Sequence, residues 1–438
     1  MRKRFYLISL GCPKNTVDSE AVSNLLEDAG WESVAKPRQA DLLVVNTCGF
    51  IEQARQESYA MLRELARSKQ RGQRLLAMGC LSQRYGLEVQ RQVPGVDGCL
   101  GTREWANIVS CAEQLMGVAP TARIRPHDQV SVVTPMTRQA AGASAYLKIA
   151  DGCSAPCAFC AIPMIKGPQR SKPRAAILQE AAELVSQGVQ EIILIAQDTT
   201  AYGRDLGQTD ALPRLITSIL ESVPQLPWLR LMYAYPQHIT ADLIETMASH
   251  PQVCHYLDLP LQHAHPDTLR RMKRSPDVKA VQQLIADLRQ AMPDIALRTA
   301  FIVGYPGETE AEFDTLLQFM AEIRFDKVGI FAYSPEEGTP AIGLPGQVAE
   351  ETAEQRYARA MELQQEISLQ RNQLQVGRIL RVLVEGTGEG VTVGRCYRDA
   401  PEIDGYVLLH GEWETSAMVR ARIEKAGEYD LMGSVLPD

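Results

Sequence analysis

Tyr146-Leu-Lys-Ile-Ala-Asp-Gly-Cys-Ser-Ala-Pro-Cys-Ala-Phe-Cys160 decides how this chain reads. An apolar run of strand character leads straight into three thiols, Cys153, Cys157 and Cys160, spaced Cys-x-x-x-Cys-x-x-Cys. A structural zinc site wants four ligands, commonly as paired Cys-x-x-Cys halves. A bacterial ferredoxin run continues to a fourth cysteine. Here the next cysteine is Cys254 and the next histidine His238. Three soft thiolates suit an iron–sulfur cluster. On a four-iron cluster they leave one iron open to a substrate, which points to chemistry rather than electron storage.

The surroundings support several domains. At 438 residues the chain exceeds the usual single-domain size. Its net charge of −8 argues against general nucleic-acid coating and for a basic macromolecular partner. No stretch approaches the roughly 18 apolar residues of a membrane span. The basic start is followed by only a short apolar run, Phe5–Leu10, whereas the core of a signal peptide runs to roughly 7–15 residues. It reads as a first strand, and the expected location is the reducing cytoplasm. The ten cysteines are then not a disulfide framework.

Residues 1–114 alternate short β-rich runs (Phe5–Leu10, Leu42–Val45, Leu75–Met78) with amphipathic stretches, the pattern of an open parallel α/β sheet. A Pro/Gly-containing linker is expected over 115–138. Residues 139–375 carry six apolar runs, each followed by a helix or turn: Ala145–Ala150, Glu191–Ala196, Trp228–Tyr233, His255–Leu259, Leu297–Val303 and Lys327–Ala332. Six units are two short of a full barrel, so a partial (β/α)6 barrel of TIM-like type is expected, closed by a long charged helix from about Glu350 to Leu374. Residues 376–438 switch to short Val/Leu-rich runs between glycines, a small all-β barrel.

Each N-terminal strand ends in a cysteine: Cys12, Cys48 and Cys80. The carboxyl ends of parallel strands line one edge of a sheet, where ligands bind. Three distant cysteines can therefore converge there on a second cluster. Cys99, Cys111, Cys254 and Cys396 lack such context and read as structural.

The loop Asp151–Cys160 resembles that of the radical S-adenosylmethionine (radical SAM) enzymes. Gly11-Cys-Pro-Lys-Asn15, Asn46-Thr-Cys-Gly-Phe50 and Gly79-Cys80 resemble the N-terminal motifs of the methylthiotransferases within that superfamily. With a C-terminal barrel of the TRAM type, the likeness covers essentially the whole chain. The resemblance implies two 4Fe-4S clusters, one on Cys12, Cys48 and Cys80 and one on Cys153, Cys157 and Cys160, together with S-adenosyl-L-methionine (SAM). One SAM methylates a sulfur held at the first cluster; another yields a deoxyadenosyl radical that abstracts hydrogen from the substrate carbon. An electron donor and a sulfur donor are required besides.

Two branches of the family share this domain order. One modifies adenosine in tRNA (the isopentenyl or threonylcarbamoyl nucleoside), and the other an aspartate of small-subunit ribosomal protein S-twelve. From Gly377 onward there are seven basic and eleven acidic residues, net −4. A domain gripping tRNA needs Lys and Arg for phosphates, whereas an acidic one suits a basic ribosomal protein. Acids such as Glu402, Asp404, Glu412 and Glu414 are expected to face it, without stable tRNA binding. Gly11-Cys-Pro-Lys-Asn15, Gln197-Asp-Thr-Thr-Ala-Tyr-Gly203, Ala400-Pro-Glu-Ile-Asp-Gly405 and Glu428-Tyr-Asp-Leu431 resemble the aspartate-modifying branch. Small departures, Lys166-Gly-Pro168 and Thr299-Ala300, touch no cluster cysteine.

Strand ends of a barrel face its substrate. Gln197, Gln262, Arg298 and Gly304 are therefore candidate SAM contacts. Gly304 lies in Val303-Gly-Tyr-Pro-Gly-Glu308, which resembles the family's adenine-approaching glycine motif, and Phe159 would reach the same ring. Asp198, Tyr235 and Tyr333 occupy similar positions; His263 and His265 are either proton relays or ordinary loop residues. Two other readings explain part of this pattern. An iron–sulfur redox sensor accounts for the cysteines but not for the glycine motif. A zinc-binding interaction protein is separated by metal analysis of anaerobically prepared protein.

Overall fold

Alternating apolar strands and amphipathic helices can bury their faces only by layering, and the chain does so three times. The structure is a computed structural model that describes residues 2–117, 138–140 and 142–437. The linker expected over 115–138 lies almost wholly outside the described residues.

The first layer is a five-stranded, all-parallel sheet in the order Glu32–Ser33, Arg4–Ser9, Leu42–Thr47, Arg74–Gly79, Gly98–Gly101. The central strand, Leu42–Thr47, is buried at every residue, as a parallel strand covered on both faces must be. The two edge strands were not expected from the sequence. They are two and four residues long, too short to show an apolar run.

The second layer has six parallel strands in simple sequential order: Ser144–Lys148, Glu191–Ile195, Trp228–Leu231, Val253–Asp258, Ala296–Val303 and Lys327–Ala332. It stays open between first and last strand, the partial barrel that the six apolar runs implied. The helix Glu350–Gln373 packs against the last strand and the helix Glu310–Ile323. The third layer is a closed barrel, ordered Ile379–Gly388, Val391–Cys396, Val407–His410, Leu431–Val435, Met418–Ala426. Leu431–Val435 shows no continuous apolar run in the sequence, because its Gly and Ser interrupt the pattern.

Buried ion pairs join the barrel to the core. Glu191 accepts from Arg230 Nε (2.6 Å) and from Arg395 Nη2 (2.7 Å), with all three side chains fully buried. Asp326 holds both Arg371 and Arg398. Lys327 pairs with Asp399 at 2.8 Å. Asp404 accepts from the Tyr256 hydroxyl (2.7 Å) and lies 3.5 Å from Arg298 Nε. This corrects the expectation for Asp404: its side chain is 2% exposed, turned against the core, and offers nothing to a partner.

Burial pushes the Glu191 carboxyl up, but the guanidiniums of Arg230 and Arg395 outweigh it and hold it at about 2, against an ordinary 4.5. A depressed carboxyl contributes stability above its unfolded value, and that stability is lost as pH falls toward the folded one. Glu191→Gln is expected to cost about 3–5 kcal/mol at neutral pH, because two guanidiniums lose their buried counter-charge. The acid loss of stability between pH 4.5 and about 2 should also become shallower. Denaturant midpoints measured against pH check this; an unchanged acid slope would contradict it.

Candidate functional site

Strand pairing brings the N-terminal thiols level. Ser9 pairs with Asn46 and Asn46 with Met78, so the three strands end in register. Cys12 caps the helix Pro13–Asp28, Cys48 follows Leu42–Thr47, and Cys80 opens the helix Cys80–Gln92. Helix N-termini present free N–H groups and partial positive charge, which favour a thiolate.

Glycines permit the close approach. A Cβ on Gly11 (φ +92°) would stand 2.8 Å from Cys48 Cβ, and one on Gly79 (φ +99°) 2.3 Å from Asn46 Oδ1. Asn15 stitches the three loops together. Its amide donates to Leu10 O (2.8 Å) and Thr47 O (3.3 Å), and its Oδ1 accepts from Cys80 Sγ (3.9 Å). Asn46 in turn donates to Asn15 O and Ser19 Oγ, each at 2.9 Å.

The second triad sits in the loop after the first core strand. Gly152 (φ +72°) admits no side chain, since a Cβ would lie 2.2 Å from Pro168 O. The loop is pinned by Cys153 N donating to Gly167 O (3.0 Å) and Ala158 N to Met272 O (2.9 Å). Donors surround the sulfurs: Ala155 N reaches Cys153 Sγ and Ile162 N reaches Cys160 Sγ, each at 3.4 Å. Arg274 Nη1 reaches Cys157 Sγ at 3.6 Å while its guanidinium lies 4.1 Å over the Tyr235 ring.

Burial pushes Cys80 and Cys160 each up to about 12, and raises Cys48 and Cys153 as well. Such thiols become ligands when a metal cation offsets the desolvation. At the core triad, soft donors, a glycine-cleared loop and N–H donors aimed at sulfur suit an iron–sulfur cluster; the N-terminal thiols have the same soft chemistry and glycine-cleared loops.

The two triads share one seam. Cys80 is buried against Ala161 and Ile165, just past Cys160. Across the seam Asp18 of the N-terminal helix binds Lys148 and, at 3.2 Å, Lys166. Asp151 binds the same two lysines at 3.2 and 3.4 Å. Burial pushes the Asp151 carboxyl up, but the two ammoniums outweigh it and hold it far below the carboxylate range. Lys166 was noted in the sequence only as a departure from the family pattern; here it is a buried member of this knot.

Residues 4–101 match the uncharacterized protein family UPF0004, residues 147–320 the radical SAM superfamily, and residues 376–436 the TRAM domain. A protein of Chloroflexus aurantiacus called ribosomal protein uS12 methylthiotransferase RimO is 48% identical, over 99% of this chain and 100% of its own. The chain belongs to the RimO methylthiotransferase family. A second member of that family, from Roseiflexus sp., is 49% identical over 99% of this chain and 97% of its own. The radical SAM methyltransferase TsrM from Kitasatospora setae shares the fold, with a TM-score of 0.60 at 14% identity over 90% of this chain and 81% of that one.

The other expected site residues are placed as follows in this family member. Phe159 packs beside Ala158, Met272, Tyr305 and Ala341 under the cluster loop. Gln197 and Gln262 are half-buried, and Gln262 has the left-handed φ of +75° at a strand end. Gly304 (φ +70°) is required by packing: a Cβ would stand 2.5 Å from Ala353 Cβ of the long helix. Arg298 Nη1 donates to Asp258 (2.7 Å), so together with Asp404 most of its guanidinium is engaged within the protein.

Asp198 caps a short turn at Ala201 N and binds His238 at 2.8 Å. His265 caps the helix Pro266–Arg271 and lies 3.5 Å from Glu312, and His263 lies 3.5 Å from Glu308. Both histidines hold loops. Tyr233, Arg274 and the Asp18–Lys166 knot have no signal in the sequence; Lys14 and Asn15 stand in the quoted Gly11–Asn15 motif, which assigns neither of them a role.

Replacing Cys153, Cys157 and Cys160 by Ala should halve the iron bound after anaerobic reconstitution and abolish deoxyadenosine formation. Replacing Cys12, Cys48 and Cys80 should halve the iron but leave SAM cleavage partly intact. Iron analysis and chromatography of the nucleoside decide it; wild-type iron in either variant would contradict two clusters.

Proposed function

We propose that this chain methylthiolates the β-carbon of an aspartate in ribosomal protein uS12, replacing one C–H bond by a carbon–sulfur bond to a methylthio group. What supports the reading is the packing of Cys80 against Ala161 and Ile165, just past Cys160, within a chain of this family. On this reading the units divide as 1–114, 139–375 and 376–438, with the linker over 115–138. An unactivated C–H bond lies beyond side-chain acid–base chemistry, so cofactors carry the hard step and the protein positions them.

Cys153, Cys157 and Cys160 hold one 4Fe-4S cluster and Cys12, Cys48 and Cys80 the other. When bound, the first supplies the electron for reductive cleavage of SAM and the second a site for the sulfur to be methylated. The chain's own residues orient and shield. Arg274 and the N–H groups of Ala155 and Ile162 stabilise charge on the core sulfurs. Phe159, Gln197, Gln262 and the backbone at Gly304 form the SAM-facing wall, while Arg298 acts through Asp258 and Asp404.

The barrel docks the basic substrate. Its exposed basic residues, Arg381, Arg420, Arg422 and Lys425, share two neighbouring strands. The opposite character gathers at the loops around Glu389, Glu412 and Glu414, beside the half-exposed Trp413. Among the described residues seven acids against four bases are exposed on this domain, so its surface remains net acidic after burial is counted.

Incubating reconstituted protein with uS12, SAM, a sulfide source and a low-potential reductant should add one methylthio group to one aspartate, read by peptide mass spectrometry. Modification of tRNA instead would contradict the reading. Changing Glu389, Glu412 and Glu414 to Lys should slow association with uS12 at low salt. The difference should fade above physiological ionic strength, where screening acts within about 8 Å.

A further inference from the structure

We propose that Lys14 is the group that binds the side-chain carboxylate of the target aspartate, and so sets the enzyme's choice of an acid over a neutral residue. The inference rests on the aspartate-modifying reading above and adds the recognition element that this reading lacks.

Lys14 is 5% exposed, on the first turn of the helix that Cys12 caps. Its ammonium stands 2.9 Å over the ring centroid of Tyr233. Every other buried lysine has a carboxylate: Lys148 and Lys166 have Asp18 and Asp151, Lys172 has Glu180 at 2.6 Å, and Lys327 has Asp399 at 2.8 Å. Among the described residues the Lys14 ammonium has neither an ion pair nor a hydrogen bond.

The nearby acids are committed elsewhere. Asp258 gives one oxygen to Arg298 (2.7 Å) and the other to the Tyr233 amide (3.2 Å), and Asp151 is held by the two lysines. Apart from Cys12, two residues before it, the ammonium faces only the ring, and no carboxylate meets it.

Its position gives that demand a use. Lys14, two residues after Cys12, stands over Tyr233, whereas Tyr235, two residues along the same strand end, stacks under Arg274, which reaches Cys157 Sγ at 3.6 Å. The ammonium therefore sits at the seam between the triads. In aspartate the carboxylate is bonded directly to the β-carbon, so holding the carboxylate there places the reacting carbon one bond away. A site built around a charge rejects the neutral isostere because the charge is then left unpaired.

The test is a two-by-two comparison of reconstituted full-length protein, wild type and Lys14→Met, with labelled uS12 carrying Asp or Asn at the modified position. Iron content of each preparation reports an intact fold. Wild type should bind the Asp form at least about tenfold more tightly than the Asn form, the scale of a charge-assisted hydrogen bond. Lys14→Met should bind both forms alike. Lys14→Arg should keep a preference for Asp, and it decides the matter if the Met variant loses iron.

A Met variant that keeps the wild-type ratio overturns the proposal. So does one whose defect is weaker SAM binding in the absence of uS12, with the ratio intact. Wild-type methylthiolation of uS12, assayed alongside, separates the two claims. If wild type modifies uS12 and the ratio survives in the variant, only the role of Lys14 falls; if wild type does not modify uS12, the functional reading falls first.

Discussion

Two carboxylates and two ammoniums buried in one place hold this molecule to its function. Asp18 arrives on the helix that Cys12 caps, and Lys148, Asp151 and Lys166 come from either side of the core cysteine loop. Taking ions out of water costs several kcal/mol each, and only mutual pairing offsets it. The knot is therefore stable complete and unstable in part: removing one member strands a charge, at a cost of about 3–5 kcal/mol. A greasy seam would tolerate sliding, but these four groups must meet in one register. Asp151 stands two residues before Cys153, and Lys166 six after Cys160. Fixing the charges thus fixes one triad against the other.

The same device recurs on the far side of the core. Glu191, at the start of the second core strand, is clasped by Arg230 of the core and Arg395 of the barrel, and Asp326 by Arg371 and Arg398. Glu336, from the loop after the sixth strand, is held by Arg55 and, at 2.8 Å, by Arg84 of the N-terminal unit. All three units are joined through buried charge.

Much of this was legible in the sequence because strand periodicity and cysteine spacing are local. Six apolar runs gave six strands in order, and the three N-terminal cysteines were readable because parallel strands end on one edge. The misses share a physical cause. Lys148 lies inside an apolar run and Lys166 looked like a family departure, since a charge two domains neutralise together has no signature in either alone. Asp404 counted as surface charge because composition is blind to burial. Gly304 was assigned to the adenine, but the first demand upon it is the approach of Ala353 from a helix about fifty residues away.

The central claim is that two clusters occupy one seam. Electron paramagnetic resonance of the fully reconstituted, reduced protein tests it most directly, because two paramagnetic centres held close together couple magnetically. The account predicts broadening or splitting in wild type that is missing from each triple-cysteine variant. It is contradicted if the wild-type spectrum equals the simple sum of the two variants' spectra.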